Sequence, residues 1–218
     1  MTSDQRQAIS WQNGVPVSEN FADPYYSLDD GWAEGAHVFL AGNGLPDRLR
    51  PGFHVAELGF GTGLNLALLL AHWRGPGQIR YTGFEAFPLA PDTASAALSE
   101  FERARPFVPL IETLLAEGHA ETETAVIELV LGDARQTLPQ WGGLADAWFL
   151  DGFAPARNPE LWGDALMEEI ARHTASNGRF ATYTAAGQVR RALSAAGFEV
   201  TRRPGFGRKR HMSCGILR

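Results

Sequence analysis

The sequence predicts an α/β domain, a mainly parallel sheet of seven strands with helices on both faces, preceded by a small β-hairpin extension. Three observations predict it. Short runs rich in Val, Ile, Phe and Leu alternate with longer stretches of helical spacing. A glycine-rich segment, Gly59 to Gly63, separates the first buried run from the first long apolar helix. The last two runs flank only a turn, Pro204-Gly205-Phe206-Gly207, so the sheet should close with an antiparallel pair.

The elements follow in order. Asn13-Gly14 between the extended runs of Trp11 to Val17 is a hairpin signal. A helix is expected over Trp32 to Leu40, weakened by its glycines. Phe53 to Leu58 reads as the first buried strand, and helix Leu64 to Trp73 is stopped by Gly75-Pro76-Gly77. Ile79 to Phe84 is the second strand. Helical spacing then covers Asp92 to Arg103 and Val108 to Glu117. Ala125 to Leu131 and Ala145 to Leu150 are the third and fourth strands. A helix over Glu160 to His173 leads through Asn177-Gly178 into strand Arg179 to Tyr183. Helix Ala185 to Ala196 ends at Gly197, before strands Phe198 to Arg203 and Arg210 to Leu217. Residues 1–50 are expected to pack as an extension on a core of residues 51–218.

Composition narrows the function classes. With 218 residues, 44% of them hydrophobic, the chain can bury one substantial core. The single cysteine, Cys214, rules out an internal disulfide and a cysteine-only metal site, and the six histidines have no metal-ligand spacing. Leu64 to Trp73, the longest apolar run, is broken by Asn65 and His72 and is too short to cross a bilayer. The first residues lack a secretory pattern, and a cytoplasmic setting is expected. Charge is uneven. From Arg172 onward ten Arg or Lys face one acid, whereas the other 171 residues hold nine cations and 24 acids. The basic C-terminal part could meet a polyanion such as nucleic acid, or it is a solvated arginine-rich edge.

Candidate ligand residues gather at the predicted strand ends. Glu57-Leu-Gly59-Phe-Gly61-Thr-Gly63-Leu-Asn65 joins the first strand to a helix, where glycines let backbone approach a ligand. The spacing is G-x-G-x-G, not the dinucleotide G-x-G-x-x-G, and it suits S-adenosylmethionine, which has an amino-acid tail and no pyrophosphate. A tight turn without a ligand is the plainer alternative. Glu85, ending the second strand, can accept both ribose hydroxyls; an exposed strand-end carboxylate is the other reading. Asp133 can accept from an adenine amino group or cap the next helix. Asp151 ends the fourth strand, in a loop with Phe153, Pro155 and Asn158 that would face the methyl acceptor. An aliphatic amine of pKa near 10 must lose its proton before attack, which costs about 4 kcal/mol at pH 7, so a carboxylate base is apt. Phe153 can stack on a flat ring. Asp23 to Glu34, with Tyr25, Tyr26, Asp29 and Asp30, combines aromatic faces that accept stacked bases with acids that could bind an ammonium group, though Asp30 with Glu34 also reads as a solvated turn opening a helix.

These residues carry a resemblance. The chain resembles the methyltransferase family of tRNA 5-methylaminomethyl-2-thiouridine biosynthesis (the MnmC methyltransferase domain and the stand-alone MnmD type). It also resembles the class I S-adenosylmethionine-dependent methyltransferases, whose sheet is Rossmann-like with a closing antiparallel pair. The matching segments are Tyr26 to Gly31, His37 to Asn43, Glu57 to Asn65, Phe84 to Leu89, Trp148 to Trp162, Ala181 to Gly187 with Val189 to Arg191, and Gly205 to Arg210. The resemblance implies methylation of the 5-aminomethyl nitrogen on wobble uridine 34, with the cofactor at the glycine loop, Glu57, Asn65, Glu85, Asp133 and Asp151. It implies that Asp151 and Phe153 are catalytic and that Tyr26, Asp29, Asp30, Pro155 and Asn158 meet the substrate. Arg208, Lys209 and Arg210 would hold phosphates of the tRNA anticodon stem-loop. Two-domain members of the family also carry a flavin oxidoreductase domain, for which these residues have no segment. Methyl transfer alone is therefore expected, with a separate flavin-dependent enzyme as a possible partner. Methylation of a small-molecule amine and a non-catalytic RNA-binding module are the other function classes.

Overall fold

The computed structural model describes residues 8–218, so the N-terminal residues used in the leader argument lie outside the described residues. The hairpin forms from β1 (Ile9–Gln12) and β2 (Val15–Ser18), and both turn residues have positive φ, Asn13 at 50° and Gly14 at 77°. That is the twist a two-residue hairpin needs. A two-residue β3 (Asp23–Pro24) adds a third strand beside β2. Helix α1 (Gly31–Gly35) passes directly into a π-helical turn, Ala36–Ala41, where a single helix is expected from the sequence.

The main sheet begins at β4 (His54–Leu58), and α2 (Leu64–His72) leads to β5 (Ile79–Glu85). Helices α3 (Pro91–Ser99) and α4 (Val108–Glu117) precede β6 (His119–Glu121) and β7 (Ala125–Leu131). Short α5 (Ala134–Thr137) and β8 (Ala145–Leu150) follow. Then come α6 (Asp164–Arg172), β9 (Thr174–Thr182), α7 (Gly187–Ala195), β10 (Phe198–Pro204) and β11 (His211–Leu217).

The strand order is β10-β11-β9-β8-β4-β5-β7-β6, giving eight strands where the sequence predicts seven. The extra strand is β6, three residues antiparallel to β7, too short to give a periodic signal. β4, β5, β7, β8 and β9 are parallel to one another, and β11 and β10 close the sheet antiparallel. From β4 the chain steps outward through β5 and β7, then returns to β8 on the opposite side. The order therefore reverses between β4 and β8, and a crevice opens beyond their carboxyl ends.

Alternate residues feed two cores, one on each face. Val55, Leu66, Tyr81, Ile127 and Phe149 belong to one; Ala56, Phe84, Trp148, Leu150 and Met167 belong to the other. Three boundaries differ by four residues or more from the sequence reading, the first being the end of α3, at Ser99 where helical spacing is expected to run to Arg103. The helix expected from Glu160 starts as a 3₁₀ turn (Pro159–Trp162) and breaks at Gly163, which is extended. β9 starts at Thr174, not Arg179, because an irregularity opposite Ala145 to Ala147 absorbs the Asn177-Gly178 step inside the strand. Among the described residues no helix is long and apolar enough to cross a membrane.

Candidate active site

A cleft of about 880 Å³ lies across the carboxyl ends of β4, β5, β7 and β8. Gly59 follows β4 with φ +74°, and a Cβ there would sit 3.0 Å from the Cα of Gly152, which follows β8. The two loops at the switch point can touch only because this residue has no side chain. Gly61, at φ +55°, donates its N–H to Glu85 Oε2 at 2.8 Å and lies against the Tyr25 ring. Gly63 does not line the cleft; it packs under the loop against Phe60 and Ile111 and begins α2.

Glu85 turns its carboxylate into the cleft. Oε1 accepts the N–H of Phe87 at 2.8 Å as Oε2 accepts that of Gly61, so each oxygen keeps a lone pair for a ligand hydroxyl. Burial raises its pKa, and those backbone donors oppose the rise. Asp133 caps α5, accepting from the N–H of Arg135 at 2.9 Å, and also binds the Arg135 guanidinium, which reaches Glu160. The capping alternative is therefore what Asp133 does in this structure, although it lines the cleft as well. The Arg135 hydrogen bond holds its carboxyl below the usual range.

Behind the cleft floor runs a buried chain of polar groups. Tyr81 donates to Glu57 Oε2, Asn65 donates to Glu57 Oε1 at 2.6 Å, and Asn65 also donates to Asp151 Oδ2 at 2.8 Å. Both amide protons of Asn65 are thus used, and they clamp two carboxylates. Glu57 is wholly buried and absent from the cleft lining, which corrects its expected place against the cofactor: it orients Asn65. Burial, then the nearby Asp151 charge, raises its pKa well above the usual range. Asp151 lines the cleft, with Oδ1 accepting its neighbour's N–H from Gly152 at 2.8 Å. Burial pushes its pKa up to about 7.

The N-terminal segment roofs the cleft beside Asp151. Phe153 stacks on Phe21 with ring centroids 4.6 Å apart and meets the edge of Tyr25 at 5.1 Å, so one of its faces is already covered. Asp23 Oδ2 accepts the N–H of Ala154 at 2.8 Å. Tyr26 lines the cleft but donates to the carbonyl of Ala97, and Asp29 and Asn158 line it too. Asp30 is turned away: its carboxylate caps α1 through the N–H of Ala33 at 2.9 Å, as the solvated-turn alternative has it. Pro155 and Arg210 are outside the lining, whereas Arg208 and Lys209 belong to it. Lys209 bonds to Glu34 Oε1 at 2.8 Å.

Tyr183 enters the cleft without being singled out by the sequence, and Glu34, an acid of the Asp23 to Glu34 segment read either as ammonium-binding or as a solvated turn, lines the cleft and is buried. The Tyr183 hydroxyl donates to the Gly152 carbonyl at 2.8 Å, beside Asp151. The burial of Glu34 follows from the fold, because Gly31, Trp32 and Gly35 of α1 are buried with it. No three His, Cys, Asp or Glu side chains among the described residues are placed to hold a metal ion.

The residues at the strand ends fit S-adenosylmethionine. Gly59 and Gly61 make positive-φ turns that a Cβ would drive into Gly152 and the Tyr25 ring, acids stand at the ends of β5, β7 and β8, and the volume suits a nucleoside with an amino-acid arm. A family model described as S-adenosyl-L-methionine-dependent methyltransferase matches residues 99–218. The chain belongs to this methyltransferase family. Its class I fold and its use of S-adenosylmethionine follow. The chain is 44% identical, over 96% of its length, to the tRNA 5-methylaminomethyl-2-thiouridine biosynthesis bifunctional protein MnmC of Caulobacter vibrioides, covering 38% of that protein. The protein of the same name from Chromobacterium violaceum is 40% identical over all of this chain, which covers 35% of it. This methyltransferase therefore spans just over a third of the length of these curated relatives. The crystal structure of MnmC2 from Aquifex aeolicus superposes with a TM-score of 0.80 at 25% identity, covering 100% of this chain and 72% of that one. A cofactor-bound amino pentose methyltransferase from Micromonospora echinaspora shares the fold, with a TM-score of 0.55, 13% identity, and coverage of 87% of this chain and 92% of that one.

Proposed function

We propose that this chain methylates the 5-aminomethyl nitrogen of wobble uridine 34 in tRNA, forming 5-methylaminomethyl-2-thiouridine. The observation that carries the reading is Asp151. It stands at the switch point and lines the cleft, clamped by Asn65 at 2.8 Å, with its pKa pushed up to about 7 by burial. The names of the curated relatives support tRNA as the substrate.

Bound S-adenosylmethionine would supply an electrophilic methyl carbon for a neutral amine, its sulfonium sulfur becoming a thioether. The chain's own residues prepare that transfer. The glycine loop would hold the cofactor's amino-acid arm, Glu85 its ribose and Asp133 its adenine edge. Asp151 accepts one proton of the substrate ammonium at an oxygen, leaving a lone pair on nitrogen. Asn65, fixed by buried Glu57, keeps that oxygen aimed. The Phe21–Phe153 stack and the Asp23–Ala154 bond close the roof and exclude water. Residues 1–50 act in this reading as an extension that completes the site. Exposed Arg208 and Arg210 would meet phosphates of the anticodon stem-loop, and a flavin-dependent activity would prepare the amine.

The test is incubation with labelled S-adenosylmethionine and tRNA from cells lacking this chain, followed by nucleoside analysis. Label in 5-methylaminomethyl-2-thiouridine is the expected result. Label in another nucleoside, or turnover of small amines with no label in tRNA, would overturn it.

A further inference from the structure

Lys209 behaves unlike the arginines around it. Its Nζ reaches into the cleft, 2.8 Å from Glu34 Oε1 and 4.2 Å from the centroid of the Tyr183 ring. Glu34 is a buried acid, only 7% exposed. Tyr183 cannot swing freely, because its hydroxyl is bonded to the Gly152 carbonyl at 2.8 Å. A buried carboxylate facing an aromatic ring is a cage for an organic ammonium. Lys209 is also the one lysine among 19 cations. A lysine presents a compact ammonium on a flexible stem, where arginine presents a broad planar fork. It therefore matches an alkylammonium in size and charge, and it stands on the turn between β10 and β11, from which a side chain can withdraw.

We propose that Glu34 and the Tyr183 ring form an ammonium-binding subsite beside Asp151, filled by Lys209 in this structure and taken over by the acceptor's alkylammonium group during the reaction. The inference rests on reading the cleft as an amine methylation site. One cation replaces another, so Glu34 is never left buried without a partner. The exchange hands the ammonium to the flank of Asp151, whose carboxylate then receives the proton. It also selects a charged amine over an alcohol of the same shape.

The test is equilibrium binding of 5-aminomethyluridine, with 5-hydroxymethyluridine as the uncharged control, to the full chain saturated with S-adenosylhomocysteine. Lys209→Met should bind the aminomethyl nucleoside about tenfold more tightly than the unaltered chain, the gain expected if Lys209 fills the subsite about nine times in ten. Glu34→Gln should bind it at least ~10-fold more weakly. The hydroxymethyl control should respond to neither change. If Glu34→Gln does not fold, Tyr183→Leu serves in its place, with weaker binding of the charged nucleoside alone. Equal or weaker binding by Lys209→Met, or no preference for the charged nucleoside, overturns the subsite. Failure of the tRNA methylation assay with the charged preference intact would instead sink the substrate reading.

Discussion

In the proposed reading, the cofactor side of the cleft is made of strand ends, whereas the acceptor side is assembled from segments far apart in the chain. Gly59, Glu85 and Asp133 each lie at the end of a parallel strand or within two residues beyond it, and the β–α connections alone bring them side by side. On the other side, Asp151 meets Asn65, Lys209 meets Glu34, and Phe153 meets Phe21. The cofactor side should therefore tolerate change in the roof. The acceptor side should depend on several long-range contacts at once.

The sharpest way to break this comparison is Asp151→Asn. The amide cannot take a proton, so kcat should fall by about 10²–10⁴ while affinity for S-adenosylhomocysteine stays within ~3-fold. A fall of less than tenfold would mean that the acceptor side is not built around this carboxylate. The pH profile sharpens the same point. A raised pKa keeps Asp151 protonated until the pH nears 7, so the single-turnover rate should drop as pH falls below about 7 and this step should vanish in Asp151→Asn. Glu85→Ala comes next. It should raise the cofactor Kd by about 10–100-fold in calorimetry, as expected for losing hydrogen bonds to a charged group, with a smaller effect on kcat at saturation. Phe21→Ala is the mildest. It removes one stacked partner of Phe153 and should lower stability by roughly 1 kcal/mol and raise the acceptor KM a few-fold, leaving cofactor affinity unchanged.

The same contrast explains what was legible in the sequence. Most strands are visible because apolar runs bounded by glycine or asparagine carry a local signal. The eighth strand, His119–Glu121, is held by pairing with β7 rather than by any pattern of its own. Gly59 and Glu85 can be placed from spacing alone, since a strand end in a parallel sheet fixes the position. Glu57 was misplaced because its motif neighbours do line the cleft, and only the fold shows that its side chain points inward to Tyr81 and Asn65. Asp30 and Glu34 look alike as acids one helical turn apart, yet one caps α1 in solvent and the other is buried against Lys209. A contact spanning 175 positions leaves no trace in local spacing.

The most direct measurement is a crystal structure of the chain with S-adenosylhomocysteine bound. The ribose should lie on Glu85, the glycine loop should cradle the amino-acid arm, and the sulfur should face the space beside Asp151. A nucleoside bound elsewhere, or one whose sulfur points away from Asp151, would contradict the assignment of the strand-end cleft as the site of methyl transfer.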